Sequence, residues 1–248
     1  MSEISVKEYA VVTGAASGIG KCVSELLVSK GIVVFALDRK YVDISGVIYI
    51  SCDISSEVEI ENARNCILTT TEKINYLVLA AGILCVKERC LIDSMSILEW
   101  SNVLATNLTG TMLSMRAFIP LMKNNAKGSI VTYSSEQVIH PIAKSAPYLV
   151  SKAGVEYLTK LAAIENLEYK IRVNCIRAAA VDTEFLSSLV SDSVIREKMK
   201  KDMDTKMPLG IISPKEIAEM TLFLLSNATS KMTGQIVTID SGVLLRVI

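Results

Sequence analysis

The stretch Thr13-Gly14-Ala15-Ala16-Ser17-Gly18-Ile19-Gly20 restricts the folds open to this chain more than any other. An apolar run, Ala10 to Thr13, precedes it, and a helix-spaced pattern with Val23, Leu26, Leu27 and Val28 follows it. The three segments read as a strand, a glycine-rich turn and a helix. Such a turn lets the backbone approach a pyrophosphate closely, while the helix N-terminus supplies N–H groups and a favourable dipole. Glycines spaced G-x-x-x-G-x-G also serve ordinary tight turns. Their position between the first strand and the first helix points to a dinucleotide.

The rest of the chain keeps the same rhythm. Ile32 to Leu37 is a buried-strand run that ends at Asp38, about 20 residues beyond the turn, where a dinucleotide fold places an acid. A carboxylate there accepts hydrogen bonds from the adenosine ribose and repels a 2′-phosphate, at a cost of up to ~4 kcal/mol for like charges ~4 Å apart in an effective dielectric of ~20. NAD is therefore favoured over NADP, although Arg39 offers a phosphate an alternative partner. Val47 to Ser51 is a third strand, closed by Cys52-Asp53-Ile54-Ser55, and Ser55 or Ser56 caps a helix that runs to about Thr71. Tyr76 to Ala80 is a fourth strand, closed by Ala81-Gly82. Ile97 to Asn125 is a long helical pattern expected to break at Pro120, with Asn107 inside it as a tolerated polar position. Ser129 to Tyr133, Arg172 to Ile176 and Ile236 to Ile239 complete seven strands.

Strands alternating with helices imply right-handed β-α-β units and an α/β fold: one doubly wound, seven-stranded parallel sheet of Rossmann type, flanked by helices. Without repeats or a Pro/Gly-rich linker, residues 1–248 read as a single domain. The charged segment Thr183 to Met207 interrupts the rhythm and reads either as a helical lid over the carboxyl edge of the sheet or as a solvated excursion.

Composition narrows the partners. With 26 basic and 26 acidic side chains, the formal charge is zero and there is no electrostatic footprint for nucleic acid, so a small molecule is the expected partner. Apolar runs fall short of the ~20 residues that span a bilayer, and Met1 to Ser5 carry neither the basic nor the apolar region of a signal peptide. Six cysteines without paired C-x-x-C spacing read as thiols in a reducing, cytoplasmic setting. Cys85 and Cys90 stand beside no second cluster and a single histidine, so no metal is expected.

The chemistry-bearing pattern is Pro147-Tyr148-Leu149-Val150-Ser151-Lys152 at the head of a helical stretch. Tyr148 and Lys152 lie one turn apart on one helix face. A phenol titrates near pH 10, and a cation within ~4 to 6 Å lowers a neighbouring acid by about 1 to 3 units, which makes phenolate usable near neutrality. The pair alone is also the kind of spacing chance puts on an exposed helix.

Together, these motifs resemble the classical short-chain dehydrogenase/reductases, over about Tyr9 to Gly242. The resemblance implies that Gly14, Ser17, Gly18, Ile19 and Gly20 hold a cofactor pyrophosphate, and that Asp38 meets the adenosine ribose. It places Asp53 and Ile54 at the adenine and adds Ala81, Gly82, Val181 and Thr183 to the NAD contacts. It implies a catalytic tetrad of Asn107, Ser135, Tyr148 and Lys152; Ser135 is chosen over Ser134 because it precedes Tyr148 by thirteen residues. Ser135 then hydrogen-bonds the substrate oxygen, Tyr148 exchanges its proton, Lys152 holds the nicotinamide ribose and Asn107 positions a water. The resemblance further implies an NAD-dependent oxidoreductase of secondary alcohols, a cyclic diol or sugar-like substrate by analogy, and a homotetramer. A catalytically weakened nucleotide-binding regulator or scaffold and a 3-oxoacyl-ACP reductase are the alternatives.

Three departures stand beside the matches. Leu79-Ala80-Ala81-Gly82 replaces the family's Asn-Asn-Ala-Gly, Ala178-Ala179 replaces Pro-Gly, and Ser241 replaces a glycine. The second bears on function, because glycine there is expected to serve the backbone of a loop against the nicotinamide. Glu136 and Gln137 are candidate substrate contacts, Arg177 a candidate partner for an anionic substrate, and His140 a loop residue.

Overall fold

The computed structural model describes residues 7–84, 90–125, 127–184 and 193–245. Seven strands form one sheet: β1 (Tyr9–Thr13), β2 (Val33–Asp38), β3 (Val47–Ser51), β4 (Tyr76–Leu79), β5 (Gly128–Ser135), β6 (Ile171–Ala178) and β7 (Ile236–Ile239). Their order is β3-β2-β1-β4-β5-β6-β7, and every neighbouring pair is parallel.

The continuous apolar runs follow from a sheet covered on both faces. Along β1, Val11 joins one core cluster with Phe35 and Leu37, while Ala10 and Val12 join the other with Val34 and Ala36. Among the described residues, helices α1 (Gly18–Ser29), α2 (Glu57–Leu68), α3 (Ile97–Leu104), α4 (Gly110–Lys123), α5 (Ala146–Glu165), α6 (Ser193–Lys206) and α7 (Pro214–Leu225) flank the sheet. Val23 and Leu27 of α1 and Ile217 and Leu224 of α7 cover the face shared by Val12. Ile60 and Ile67 of α2, Phe118 of α4 and Ala162 of α5 cover the face shared by Val11.

Helix starts obey local chemistry. Ser56, rather than Ser55, caps α2 by accepting the Glu59 N–H. At α7 the Ser213 side chain accepts the Glu216 N–H while the Glu216 carboxylate accepts the Ser213 N–H, with Pro214 in the first turn. That S-x-x-E signature marks a helix the periodicity reading passed over.

The expected break at Pro120 does not occur. α4 continues to Lys123, and the Asn124 N–H still bonds the Pro120 carbonyl. A proline this close to a helix end removes one hydrogen bond without ending the helix. The irregularity lies upstream, where Ala105–Thr109 form a π-turn between α3 and α4, closed by the Gly110 N–H on the Ala105 carbonyl.

β1 has β2 on one side and β4 on the other, so the connections leave in opposite directions beyond its carboxyl end. Such a crevice is where open α/β sheets take their ligands. β5 and β6 run further toward it than the sequence pattern marked, pairing Ser135 with Ala178 in the last rung.

Candidate active site

A cavity of about 420 Å³ opens at this carboxyl edge. Its walls come from the turn after β1, the ends of β2, β4, β5 and β6, the head of α5, and Met203 of α6.

At one end Gly14, Ser17, Gly18, Ile19 and Gly20 form a cradle. A Cβ on Gly20 would sit 2.1 Å from the Gly14 carbonyl oxygen, and one on Gly14, whose φ is +69°, 2.7 Å from the Ala81 backbone. Both are backbone approaches that only glycine permits. The Asp38 carboxylate is aimed by two backbone donors, with Oδ2 accepting the Ala16 N–H at 3.0 Å and Oδ1 the Lys40 N–H at 2.9 Å. Asp53 Oδ1 accepts the Ser55 N–H and hydroxyl at 2.9 and 2.7 Å, and Arg39 lies 3.5 Å from Oδ2. Burial raises the Asp53 carboxyl, but these hydrogen bonds and the Arg39 charge outweigh it and hold it below its ordinary value. Ile54 lines the cavity beside it.

Ser135, the last residue of β5, marks the other end. Its hydroxyl donates to Glu136 Oε2 at 2.9 Å, and its oxygen accepts the Gln137 N–H at 3.3 Å. Tyr148 and Lys152 face it from the first turns of α5. Lys152 is buried, and its ammonium donates to the Tyr133 carbonyl at 3.0 Å and lies 5.7 Å from the Tyr148 ring centroid. Burial pulls the lysine down from 10.5 to about 8. Tyr148 moves the other way: burial, then the Glu136 charge, push its phenol above the ordinary value, against the opposing effect of a hydrogen bond shared with Ser135. The expected acidification of Tyr148 by Lys152 does not appear in this geometry, where burial and Glu136 outweigh an ammonium that donates to the Tyr133 carbonyl and lies 5.7 Å from the ring centroid.

Asn107 is buried in the π-turn and does not line the cavity. Its Oδ1 accepts the Ile83 N–H at 2.8 Å, while its Nδ2 donates to the Ile83 carbonyl at 2.9 Å and to Ser151 Oγ at 3.1 Å. Ser151 in turn donates to the Tyr148 carbonyl at 2.6 Å. One amide thus joins the loop after β4 to the helix that carries Tyr148. Gly82 packs between them, where a Cβ would stand 3.4 Å from Asn107 Oδ1 and 3.6 Å from Lys152 Nζ.

Ala81, Val181 and Thr183 also line the cavity, and the Thr183 methyl comes within 3.1 Å of a Cβ placed on Gly18. Ala179 needs no left-handed backbone: it is absent from the positive-φ residues, and its N–H bonds the Ile239 carbonyl at 2.9 Å. Arg177 is not available to an anionic substrate. It forms a two-pronged ion pair with Glu156 at 2.8 and 2.6 Å, and Glu156 also accepts the Ser134 hydroxyl. His140 is exposed and does not line the cavity. Cys85 and the middle of the loop after β4 lie outside the described residues. Sequence reasoning passed over Ile142 and Ser145, which lack any signature of their own, reached Met203 only as part of the segment Thr183 to Met207, and had no clue to Glu136 but its adjacency to Ser135.

A parallel sheet with a glycine cradle at its switch point and a Ser, Tyr and Lys at the far end of the same cavity defines a nucleotide-binding oxidoreductase fold. The family described as Enoyl-(Acyl carrier protein) reductase matches residues 14–244, and the chain belongs to the classical short-chain dehydrogenase/reductases. It is 32% identical to a protein of Listeria innocua named NAD-dependent glycerol dehydrogenase, over 95% of this chain and 93% of the relative. It is equally 32% identical to carbonyl reductase family member 4 of Danio rerio, over 97% and 99%. The ligand-free aldohexose dehydrogenase of Thermoplasma acidophilum superposes with a TM-score of 0.90 at 29% identity, covering 97% of this chain and 95% of that one.

Proposed function

We propose that the protein is an NAD(H)-dependent oxidoreductase that interconverts a secondary alcohol and a ketone on a small substrate. The observation that carries the reading is the convergence of Ser135, Tyr148 and Lys152 on one end of a cavity whose other end is the glycine cradle. The cradle fits a dinucleotide, since its backbone approaches exclude side chains where a pyrophosphate needs room. Asp38, held by two backbone donors at the ribose end, favours an unphosphorylated ribose. The Listeria relative's name, which specifies NAD, agrees with that preference.

NAD supplies hydride acceptance and, reduced, hydride donation. The chain's part is protonic. Tyr148 exchanges a proton with the substrate oxygen, and Ser135 orients that oxygen. Lys152, whose ammonium donates to the Tyr133 carbonyl, would hold the nicotinamide ribose. Asn107 works from behind the wall as a positioning residue, through Ile83 and Ser151. Helix α6, which places Met203 on the cavity, acts as a lid over one domain formed by the whole chain. General acid-base help of this kind is worth about 10² to 10⁴ in rate.

The weakened-scaffold alternative rested on Ala178-Ala179, and the backbone at Ala179 gives it no support. The test is a panel of secondary alcohols with NAD and with NADP, read by absorbance of the reduced nicotinamide, together with Tyr148→Phe. Turnover with NAD, lost by at least about 10²-fold in the variant while NADH binding persists, is the expected result. Activity retained above a tenth in Tyr148→Phe, or NADH binding without turnover on any alcohol, overturns the reading.

A further inference from the structure

Among the described residues, three carboxylates line the cavity: Asp38 and Asp53 stand at its nucleotide end, and Glu136 stands beside Ser135 and Tyr148. Outside the cradle, the lining side chains Leu84, Gln137, Ile142, Ser145 and Met203 carry no charge, and Lys152 supplies the cation of this end. A half-buried carboxylate among such neighbours needs donors, and burial already raises it above its ordinary value. Gln137 and the local backbone meet part of that need, and Ser135 adds its one hydroxyl proton at 2.9 Å.

This has a chemical consequence. A hydroxyl has one proton to donate, and while Glu136 holds it, Ser135 cannot donate to a reacting carbonyl. A hydrogen bond to a carboxylate is about twice as strong as one between neutral groups, so a plain ketone competes poorly for the Ser135 proton. A substrate with a hydroxyl on the adjoining carbon offers Glu136 a replacement donor. We infer that Glu136 is the specificity-determining residue of this site: it accepts a hydrogen bond from a hydroxyl next to the reacting carbon, and that bond releases the Ser135 proton to the reacting oxygen. The preferred substrate pair is thus a vicinal diol and its α-hydroxyketone. A carboxylate or phosphate in the same place meets a like charge and is rejected. The inference rests on the oxidoreductase reading and refines its substrate.

The experiment compares NADH-driven reduction of 2-hydroxycyclohexanone, 2-methoxycyclohexanone and cyclohexanone by the wild type and by Glu136→Gln. The methyl ether keeps the oxygen and removes its proton. The wild type is expected to favour the hydroxyketone over both others by about tenfold or more in kcat/KM, the scale of a hydrogen bond to a charged group, with most of the difference in kcat. Glu136→Gln is expected to bring the ratio toward about one and to raise kcat on cyclohexanone, because a neutral amide oxygen competes less strongly for the Ser135 proton. Simple damage to the site would lower all three rates together. A wild type that treats the three ketones alike overturns the inference, even where the variant fails to fold, as does a variant in which all three fall by one factor. Turnover of every ketone without preference sinks this inference alone. NADH binding without reduction of any ketone sinks the oxidoreductase reading with it.

Discussion

Tyr148 starts from an unfavourable position for a base, with burial and the Glu136 carboxylate both opposing its ionisation. Lys152 is disfavoured in the complementary sense, a buried cation whose ammonium donates to the Tyr133 carbonyl and lies over the Tyr148 ring. Its folded value of about 8 lies below the 10.5 of an ordinary lysine. Between those two values the unfolded chain binds more protons at this site than the folded one, so the site's contribution to stability rises with pH across the window. That contribution is complete above 10.5 and is lost as pH falls through about 8. At 1.36 kcal/mol per unit the penalty at neutral pH is roughly 3 kcal/mol. Lys152→Met should therefore gain stability over the wild type at pH 7, and the gain should shrink by pH 10. Urea unfolding of both proteins at the two pH values checks this, since other groups cancel in the difference. A pH-independent difference would show that Lys152 carries no burial penalty. Little of this was legible in the sequence. The i to i+4 spacing placed Tyr148 and Lys152 together, but it carried no trace of the Tyr133 carbonyl that takes the ammonium or of Glu136 beside the phenol.

At the scale of elements, the parts read correctly were those with strong periodicity and a local cause. Seven apolar runs became seven strands, and the turn at Gly14 to Gly20 became a strand-to-helix junction. The parts misread depend on tertiary partners. The π-turn at Asn107 serves hydrogen bonds to Ile83 and Ser151, which lie 24 and 44 residues away, and Arg177 answers to Glu156 rather than to a ligand. The tightest junction yields a prediction. A methyl on Gly20 meets the Gly14 carbonyl at 2.1 Å, backbone against backbone, whereas one on Gly31 meets nothing within 4 Å. Gly20→Ala should lower stability by about 1 to 3 kcal/mol through overpacking and weaken NADH binding by displacing the cradle. Gly31→Ala, in a loop away from the cavity with φ +78°, should cost about 1 to 2 kcal/mol from its left-handed backbone and leave NADH affinity unchanged. Thermal melts and fluorescence titration with NADH separate the two. Equal affinities in both variants would mean the cradle does not hold the cofactor.

At the scale of the whole molecule, the described residues leave apolar side chains exposed on two regions. One face of α5 packs on the sheet through Val155, Thr159 and Ala162, while the opposite face presents Val150, Tyr157, Leu161 and Ile164 at 46, 66, 42 and 68% exposure. A helix apolar on both sides is built for burial on both sides. A second uncovered region lies apart from it, where Phe223 of α7 is exposed and β7 forms the edge of the sheet. Edge strands left open invite pairing. One self-complementary face yields a dimer; two independent ones, each closed by a two-fold axis, yield a tetramer. Light scattering of the purified protein is accordingly expected to give four times the 27.0 kDa chain mass. Tyr157→Lys combined with Ile164→Glu should reduce that to dimers through the remaining face, with the circular dichroism of the fold retained. A wild type that stays monomeric at micromolar concentration would mean that neither face recruits a second copy, and a double variant that remains tetrameric would move the interface off α5.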